Sequence, residues 1–189
     1  MAYKLSVKQG NLLNEEEATF IVNASNTKLI LGSGVSMAFK RHCGNELQQE
    51  MLKSLENIEG TLNKGDVVAT SSGKATNFIY ALHVAVMDYN SGLKYDKKMP
   101  TLDIIQVALQ NIENYLKWYW NEKKKPIKLV LPLIGCGVGG LSKIDVVNLY
   151  SEFFNRNIEA ESNVVIYGYD SSDYELVKSK IVASFFNCN

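Results

Sequence analysis

The residues best suited to chemistry gather in two places. Asn23 and Asn26 close the run Ile21-Val22-Asn23-Ala24-Ser25-Asn26, and Gly32-Ser33-Gly34-Val35 follows within a few residues. The second place is Gly135-Cys136-Gly137-Val138-Gly139-Gly140, at the end of the apolar stretch 127–134. Both are glycine-bearing loops that follow a strand pattern and precede a helix pattern. The first turn of a helix leaves N–H groups unpaired, its dipole adds partial positive charge, and glycine lets an anion approach the backbone. Phosphate binding is therefore the chemistry this pattern points to. Two loops at one sheet edge would grip two phosphates, and the asparagines would address polar groups beside them.

Side-chain chemistry is sparser. His83 is expected to end a strand at the ligand edge, where a histidine suits proton transfer near neutral pH; the competing reading is a hydrogen-bonded core residue. His42, beside Arg41, reads as surface. Phosphate-loop N–H groups around Cys136 would lower a thiol pKa, but with no partnered histidine its favoured role is small-residue packing. Neither loop carries GxGxxG or the Lys-Ser/Thr of a P-loop, which leaves dinucleotide redox chemistry and ATP hydrolysis unsupported. No CxxC or Cys/His ligand spacing occurs, so neither a metal nor a cofactor is called for.

The elements that must position these loops are legible from periodicity. Residues 3–9 alternate Tyr3, Leu5, Val7 against Lys4, Ser6, Lys8, a strand with one exposed face near a sheet edge. Residues 19–24 form a continuous β-branched and apolar run, the pattern of a strand buried on both faces. Phe39, Cys43, Leu47, Met51 and Leu55 recur every four positions and predict one long helix over 35–55, with Gly44 a modest interruption. Residues 65–70 and 77–87 predict strands joined through Ser71-Ser72-Gly73. The polar segment 88–99 predicts a mobile loop, and Pro100 suits the first turn of a helix carrying Leu102, Ile105, Leu109, Ile112, Leu116 and Tyr119. Glu122-Lys123-Lys124-Lys125-Pro126 ends it as a solvated charge run. A strand over 127–134, a helix over 144–154 capped by Ser142 with Asp145, a strand over 164–169 and a closing helix capped by Ser172 with Glu175 complete the chain. In that closing helix Tyr174, Val177, Ile181 and Phe185 have helical spacing.

Strands alternating with helices, with glycine loops after strand ends, predict a three-layer α/β/α sandwich around a central mixed sheet, as one domain over 1–189. Twenty basic and twenty acidic side chains cancel. No global field recruits nucleic acid, and any phosphate binding must be local and backbone-based. Cys43, Cys136 and Cys188 are too few and scattered for a disulfide scaffold. The amino-terminal residues lack an apolar signal region and no run reaches membrane-spanning length, so a reduced cytoplasmic setting without membrane contact is expected.

Taken in order, Gln9-Gly10-Asn11, Ile21-Val22-Asn23-Ala24-Ser25-Asn26, Gly32-Ser33-Gly34-Val35, the strand ending at His83, and Leu131-Pro132-Leu133-Ile134 with the glycine loop behind it resemble the motifs of the macro domain, an ADP-ribose-binding module. Residues 164–170 also fit. Each motif is weak alone, and their shared order makes the set specific. The resemblance implies ADP-ribose or ADP-ribose 1''-phosphate as ligand and ADP-ribosylated macromolecules as further partners. Asn11, with Leu12 beside it, stands where the family keeps an acidic residue against the adenine amino group; its carbonyl oxygen accepts without the charge that strengthens such a bond. Asn26 matches the asparagine that contacts the terminal ribose, and Asn23 is assigned to the loop or its support. Gly32, Ser33, Gly34 and Val35, with Gly135, Cys136, Gly137, Val138 and Gly139, would wrap the diphosphate through backbone N–H groups. Tyr169 falls where family members lay an aromatic ring on adenine. Strand packing, as for Tyr167, is the competing reading, and the alignment also allows the two tyrosines to exchange places.

On catalysis the family divides. One hydrolase branch carries Gly-Val-Asp where this chain has Gly34-Val35-Ser36, and serine is no carboxylate base. Another branch uses a lysine and an aspartate; here Gly139 occupies the aspartate position, and no lysine stands near the end of the strand 78–83. What the resemblance implies is binding, with weak phosphatase activity on ADP-ribose 1''-phosphate, positioned by Asn26 and the loops and with His83 as the candidate proton carrier. The alternatives are a non-catalytic reader of ADP-ribose or a related nucleotide, and a de-ADP-ribosylating hydrolase that draws a carboxylate from elsewhere, for which Asp88 is a candidate.

Overall fold

The computed structural model describes residues 2–58 and 61–186, with side chains through residue 181. Cys188 and the Phe185 side chain, both considered above, lie outside the described residues. Six strands form one sheet in the order β1-β6-β5-β2-β4-β3. They are β1 Lys4–Gln9, β2 Ala18–Asn26, β3 Val67–Ser71, β4 Phe78–Met87, β5 Ile127–Leu131 and β6 Ser162–Gly168. Every neighbouring pair is parallel except β3 with β4, so the sheet is mixed. The helices are α1 Gly34–Asn57, α2 Tyr95–Lys98, α3 Leu102–Lys123, α4 Lys143–Phe154 and α5 Ser171–Phe186.

Side-chain alternation assigns the helices to layers. Phe20 and Val22 of β2, Leu82 and Val84 of β4, and Leu129 and Leu131 of β5 bury with Ile105 and Leu109 of α3, Val146 and Tyr150 of α4, and Val177 of α5. Ile21, Ala81 and Val130 point the other way and bury with Phe39, Cys43, Leu47 and Met51 of α1. The central strand β2 is buried on both faces, as its apolar run requires. Edge strand β1 keeps Lys4, Ser6 and Lys8 exposed.

This layering sets where the connections of the sheet diverge before any side chain is considered. From β2 the chain moves through α1 to β4 on one side, whereas from β5 it moves through α4 to β6 on the other. Right-handed crossovers in opposite directions put α1 and α4 on opposite faces. Between the carboxyl ends of β2 and β5 the connections diverge and leave a crevice, the topological switch point where open α/β sheets bind ligands.

The structure corrects several expectations. α1 is not one regular helix: Gly44 has φ 80° and ψ −176°, a break between two helical segments. The break frees the Cys43 carbonyl, which accepts the Lys74 amide at 2.9 Å, so the β3–β4 turn seats on the kink. β5 stops at Leu131, because Pro132 lacks the N–H that would extend the ladder. α3 begins after Thr101, whose hydroxyl accepts the Ile104 amide, and Pro100 lies outside the first turn. α5 is capped by Asp170, not Ser172: its carboxylate accepts the Asp173 amide at 2.9 Å. The segment 88–99 contains the short helix α2, and Lys64 Nζ donates to the carbonyls of Lys97 and Met99. Finally, β4 reaches Met87, as the pattern over 77–87 predicts, and His83 therefore sits inside the strand and not at its end.

Candidate functional site

Five parallel strands end at the same edge and deliver the chemistry-bearing residues there: Asn11 after β1, Tyr169 after β6, the loop 132–140 after β5, Asn26 at the end of β2 and Asp88 after β4. The Gly10 amide donates to the Gly168 carbonyl at 2.9 Å, which ties the Asn11 turn to the Tyr169 turn.

The loop after β5 is anchored from below. Tyr150 of α4, wholly buried, donates its hydroxyl to the Pro132 carbonyl at 2.8 Å and accepts the Ile134 amide at 3.1 Å. Gly135 takes φ +82°, where an added Cβ would meet Leu141 at 2.7 Å, and its carbonyl accepts the Leu141 amide at 3.0 Å. The Gly140 amide closes onto the Gly137 carbonyl at 3.1 Å. The amides of Gly137, Val138 and Gly139 are then left without partners among the described residues, with Gly137 and Val138 exposed. Cys136 is half-buried, and burial pushes its thiol up to about 11. That disfavours the thiolate a nucleophile would need at neutral pH.

The loop after β2 is built by side-chain amides. Asn26 Oδ1 accepts the amides of Lys28 at 3.1 Å and Ile30 at 3.3 Å, while Nδ2 donates to the Ile30 carbonyl at 2.9 Å. Gln48 of α1 adds a second clamp, accepting the Leu31 amide at 2.7 Å and donating to the Leu29 carbonyl at 2.8 Å. Sequence reasoning missed Gln48, whose only signal was a polar residue flanking the apolar ridge at Leu47 and Met51. The loop leads to Ser33, the N-cap of α1, which makes no side-chain capping bond. The amides of Gly34, Val35 and Ser36 in the first turn therefore remain unpaired, and Gly32, Ser33 and Gly34 are exposed. Two sets of free amides thus follow the neighbouring strands β5 and β2, groups that can bind an anion without lysine or arginine.

The remaining predicted residues divide between edge and interior. Tyr169 is 81% exposed just beyond β6, whereas Tyr167 is buried and donates its hydroxyl to Glu15 at 2.8 Å. The end of β6 at Gly168 separates the two tyrosines: Tyr167 is held in the strand, and Tyr169 lies past its last residue. Asn11 is exposed, but its Oδ1 already accepts the Leu13 amide at 3.1 Å as cap of the 3-10 turn Leu12–Asn14, and Leu12 is buried. Asp88 is half-buried beside Asn26, its Oδ1 taken by the Thr27 hydroxyl at 3.1 Å and the Asn90 amide at 3.0 Å. Asn23 and His83 lie in the interior with no exposed surface, Asn23 Nδ2 being 3.0 Å from His83 Nδ1. Burial pushes the His83 imidazole down to about 3, so it stays neutral across physiological pH. No group of histidine, cysteine and carboxylate side chains able to hold a metal occurs among the described residues. Nor is any helix among them long and apolar enough to cross a membrane. Two recesses of about 340 and 690 Å³ lie elsewhere, along the β3 edge next to Ser54, Asn57 and Ala69.

This edge, with its two amide loops, matches a known family: the model described as Macro domain fits residues 22–150. The chain belongs to the macro domain family. The macrodomain of Oceanobacillus iheyensis, solved with ADP, superposes with a TM-score of 0.79 at 20% identity over 97% of this chain and 92% of that one. A Trypanosoma brucei macrodomain solved in complex with ADP-ribose gives 0.71 at 16% identity, over 93% of this chain and 68% of that one. A macro domain-containing protein of Listeria monocytogenes is 35% identical over 81 residues, 42% of this chain and 45% of that protein. An uncharacterized protein of Thermotoga maritima is 26% identical over 163 residues, 86% of this chain, which spans only 25% of that relative's length.

Ser36 is buried and turns its hydroxyl inward, with Oγ 3.0 Å from both Asn23 Oδ1 and the Ala24 carbonyl. Gly139 admits no side chain without a shift: an added Cβ would lie 2.5 Å from the Gly135 carbonyl and 2.7 Å from Pro100.

Proposed function

We propose that this macro domain binds ADP-ribose or a close derivative, the diphosphate lying in the crevice between β2 and β5. The observation that carries the reading is the pair of unpaired amide sets, Gly137 to Gly139 after β5 and Gly34 to Ser36 in the first turn of α1 after β2, all without internal partners among the described residues. The strand order supports the rest of the ligand. Reading β6-β5-β2 along the edge gives an exposed aromatic, one phosphate loop and then the other, with Asn26 and Asp88 beyond. That sequence matches adenine, diphosphate and terminal ribose in order. Strands spaced roughly 4.8 Å apart make the edge long enough for an extended dinucleotide-sized ligand.

Turnover is the finer question. Phosphatase action on ADP-ribose 1''-phosphate is supported by the same amides, which would stabilise charge on a departing phosphoryl group. A non-catalytic reader is favoured by the placement of the candidate catalytic groups. Ser36 faces inward, His83 is sealed in the core, and Asn26 is bonded to its own loop. De-ADP-ribosylation of macromolecules would need Asp88 as its carboxylate.

Calorimetry with ADP-ribose, ADP and AMP tests the binding reading. ADP-ribose and ADP are expected to bind well above AMP, and Gly34→Glu is expected to abolish that preference by placing a carboxylate at the amide cluster. Equal affinity for ADP-ribose and AMP would sink the two-loop model. Phosphate release from ADP-ribose 1''-phosphate, set beside release of ADP-ribose from a modified protein, separates the two enzymes from the reader.

A further inference from the structure

The interior behind α1 holds a buried polar chain that the binding reading leaves unused. Ser36 donates to Asn23 Oδ1 at 3.0 Å, which turns Asn23 Nδ2 toward His83 Nδ1, also at 3.0 Å. With Nδ1 accepting, the ring proton sits on Nε2 and is donated to Thr70 Oγ1 at 2.8 Å; the Thr70 hydroxyl passes its own proton to the Ser71 carbonyl at 2.9 Å. From Asn23 onward the donors run one way, through His83 to β3, while the Ser36 hydroxyl is shared between Asn23 Oδ1 and the Ala24 carbonyl, each at 3.0 Å. The imidazole also packs edge-on against Phe39, with ring centroids 6.3 Å apart, so it touches α1 at a second point one turn further on. All four polar residues are buried, Asn23 and His83 completely. Such a chain has few alternative arrangements, because breaking any link strands a polar group away from water.

We propose that His83 is a positioning residue for the phosphate site: through Asn23 and Ser36 on one side and Phe39 on the other, it sets the angle at which the first turn of α1 presents its free amides. The inference rests on the diphosphate reading given above. It assigns His83 no proton transfer. Its role is to give the uncapped helix start a fixed orientation where no capping side chain does so.

The test compares wild type, His83→Phe and Thr70→Val by calorimetry with ADP-ribose, ADP and adenosine, alongside thermal melts and amide NMR. His83→Phe keeps the ring but removes both nitrogens, and is expected to weaken ADP-ribose and ADP by about tenfold, the loss of roughly one buried hydrogen bond, while adenosine changes less than about twofold. Gly34, Val35 and Ser36 amide resonances should shift in the ligand-free variant. Thr70→Val removes the Nε2–H acceptor at nearly constant volume; the same selective loss is expected, and it decides the matter if His83→Phe fails to fold. In wild type, ring nitrogen NMR should show the Nε2–H tautomer. Unchanged diphosphate affinity in the folded variants, an equal loss for all three ligands, or an Nδ1–H tautomer each overturns the proposal while leaving the functional reading intact. Wild-type protein that binds no diphosphate ligand overturns that reading and this inference with it.

Discussion

Tyr167 donates its hydroxyl to Glu15 Oε2 at 2.8 Å, although 152 residues separate the two in sequence. Lys8 at 2.7 Å and Lys128 at 3.2 Å complete the surround of this buried carboxylate, and Asn77 Nδ2 donates to the carbonyls of Leu13 and Glu15. The turn that carries Asn11 is thereby fastened to β1, β5 and β6, beneath the edge on which the adenine would rest.

A pH dependence follows from that arrangement. Burial alone would raise the Glu15 pKa, but the hydrogen bonds from Lys8, Tyr167 and Lys128 outweigh it and hold the group below its ordinary 4.5. A carboxyl with a lower pKa folded than unfolded contributes stability above the unfolded value, and that stability is lost as pH falls through the folded one. Glu15→Gln is expected to cost about 1–3 kcal/mol at pH 7. Denaturant melts should show the gap between wild type and variant closing as pH falls below 4.5; a gap independent of pH would contradict the assignment.

Tyr167 in β6 and Tyr169 just beyond it should separate stability from binding. Tyr169→Ala, at an 81% exposed position, is expected to leave the melting temperature unchanged and to weaken adenine nucleotides alike by about 1–3 kcal/mol, the worth of one base–aromatic stack. Tyr167→Phe, inside the Glu15 cluster, is expected to lower stability by about 1 kcal/mol with ligand affinity retained. The opposite pattern in calorimetry and melts would mean that adenine rests elsewhere.

Restoring the aspartate of one hydrolase branch should fail for a local reason. The Ser36 hydroxyl points at two acceptors, Asn23 Oδ1 and the Ala24 carbonyl, each at 3.0 Å. A carboxylate there faces oxygen on both sides in a buried pocket, so Ser36→Asp is expected to lose about 2–4 kcal/mol of stability and to gain no hydrolysis of ADP-ribosylated protein. A stable, hydrolytically active Ser36→Asp would show that the inward turn of the hydroxyl does not decide activity.

Gly139→Asp is expected to behave similarly at the other loop. A Cβ 2.5 Å from the Gly135 carbonyl forces the backbone to move, and the Gly137 to Gly139 amides move with it. Affinity for ADP-ribose should fall by at least about tenfold, the scale of small misplacements in a preorganised site, with no turnover gained. Retained affinity would show that the loop tolerates a side chain.

Much of this site was readable from local chemistry. The glycine loops, the asparagines beside them and the alternation of strands and helices are properties of a few adjacent residues, and periods of two and near four survive any tertiary arrangement. The edge location of β1, the double burial of β2 and the Ser142 cap on α4 followed from such patterns. The direction in which each polar side chain points was not readable. His83 was expected at a strand end and lies inside one, and nothing local showed that Asn26 bonds its own loop. Asn23 and His83 are 60 residues apart, so their contact exists only once β2 and β4 pair in register. A slip of β4 by one residue would turn His83 to the opposite face from Asn23. Local composition supplies the unpaired amides, while tertiary packing selects which side chains reach the crevice and which are sealed beneath it, because hydrogen bonds between distant residues require a geometry that only the assembled sheet provides.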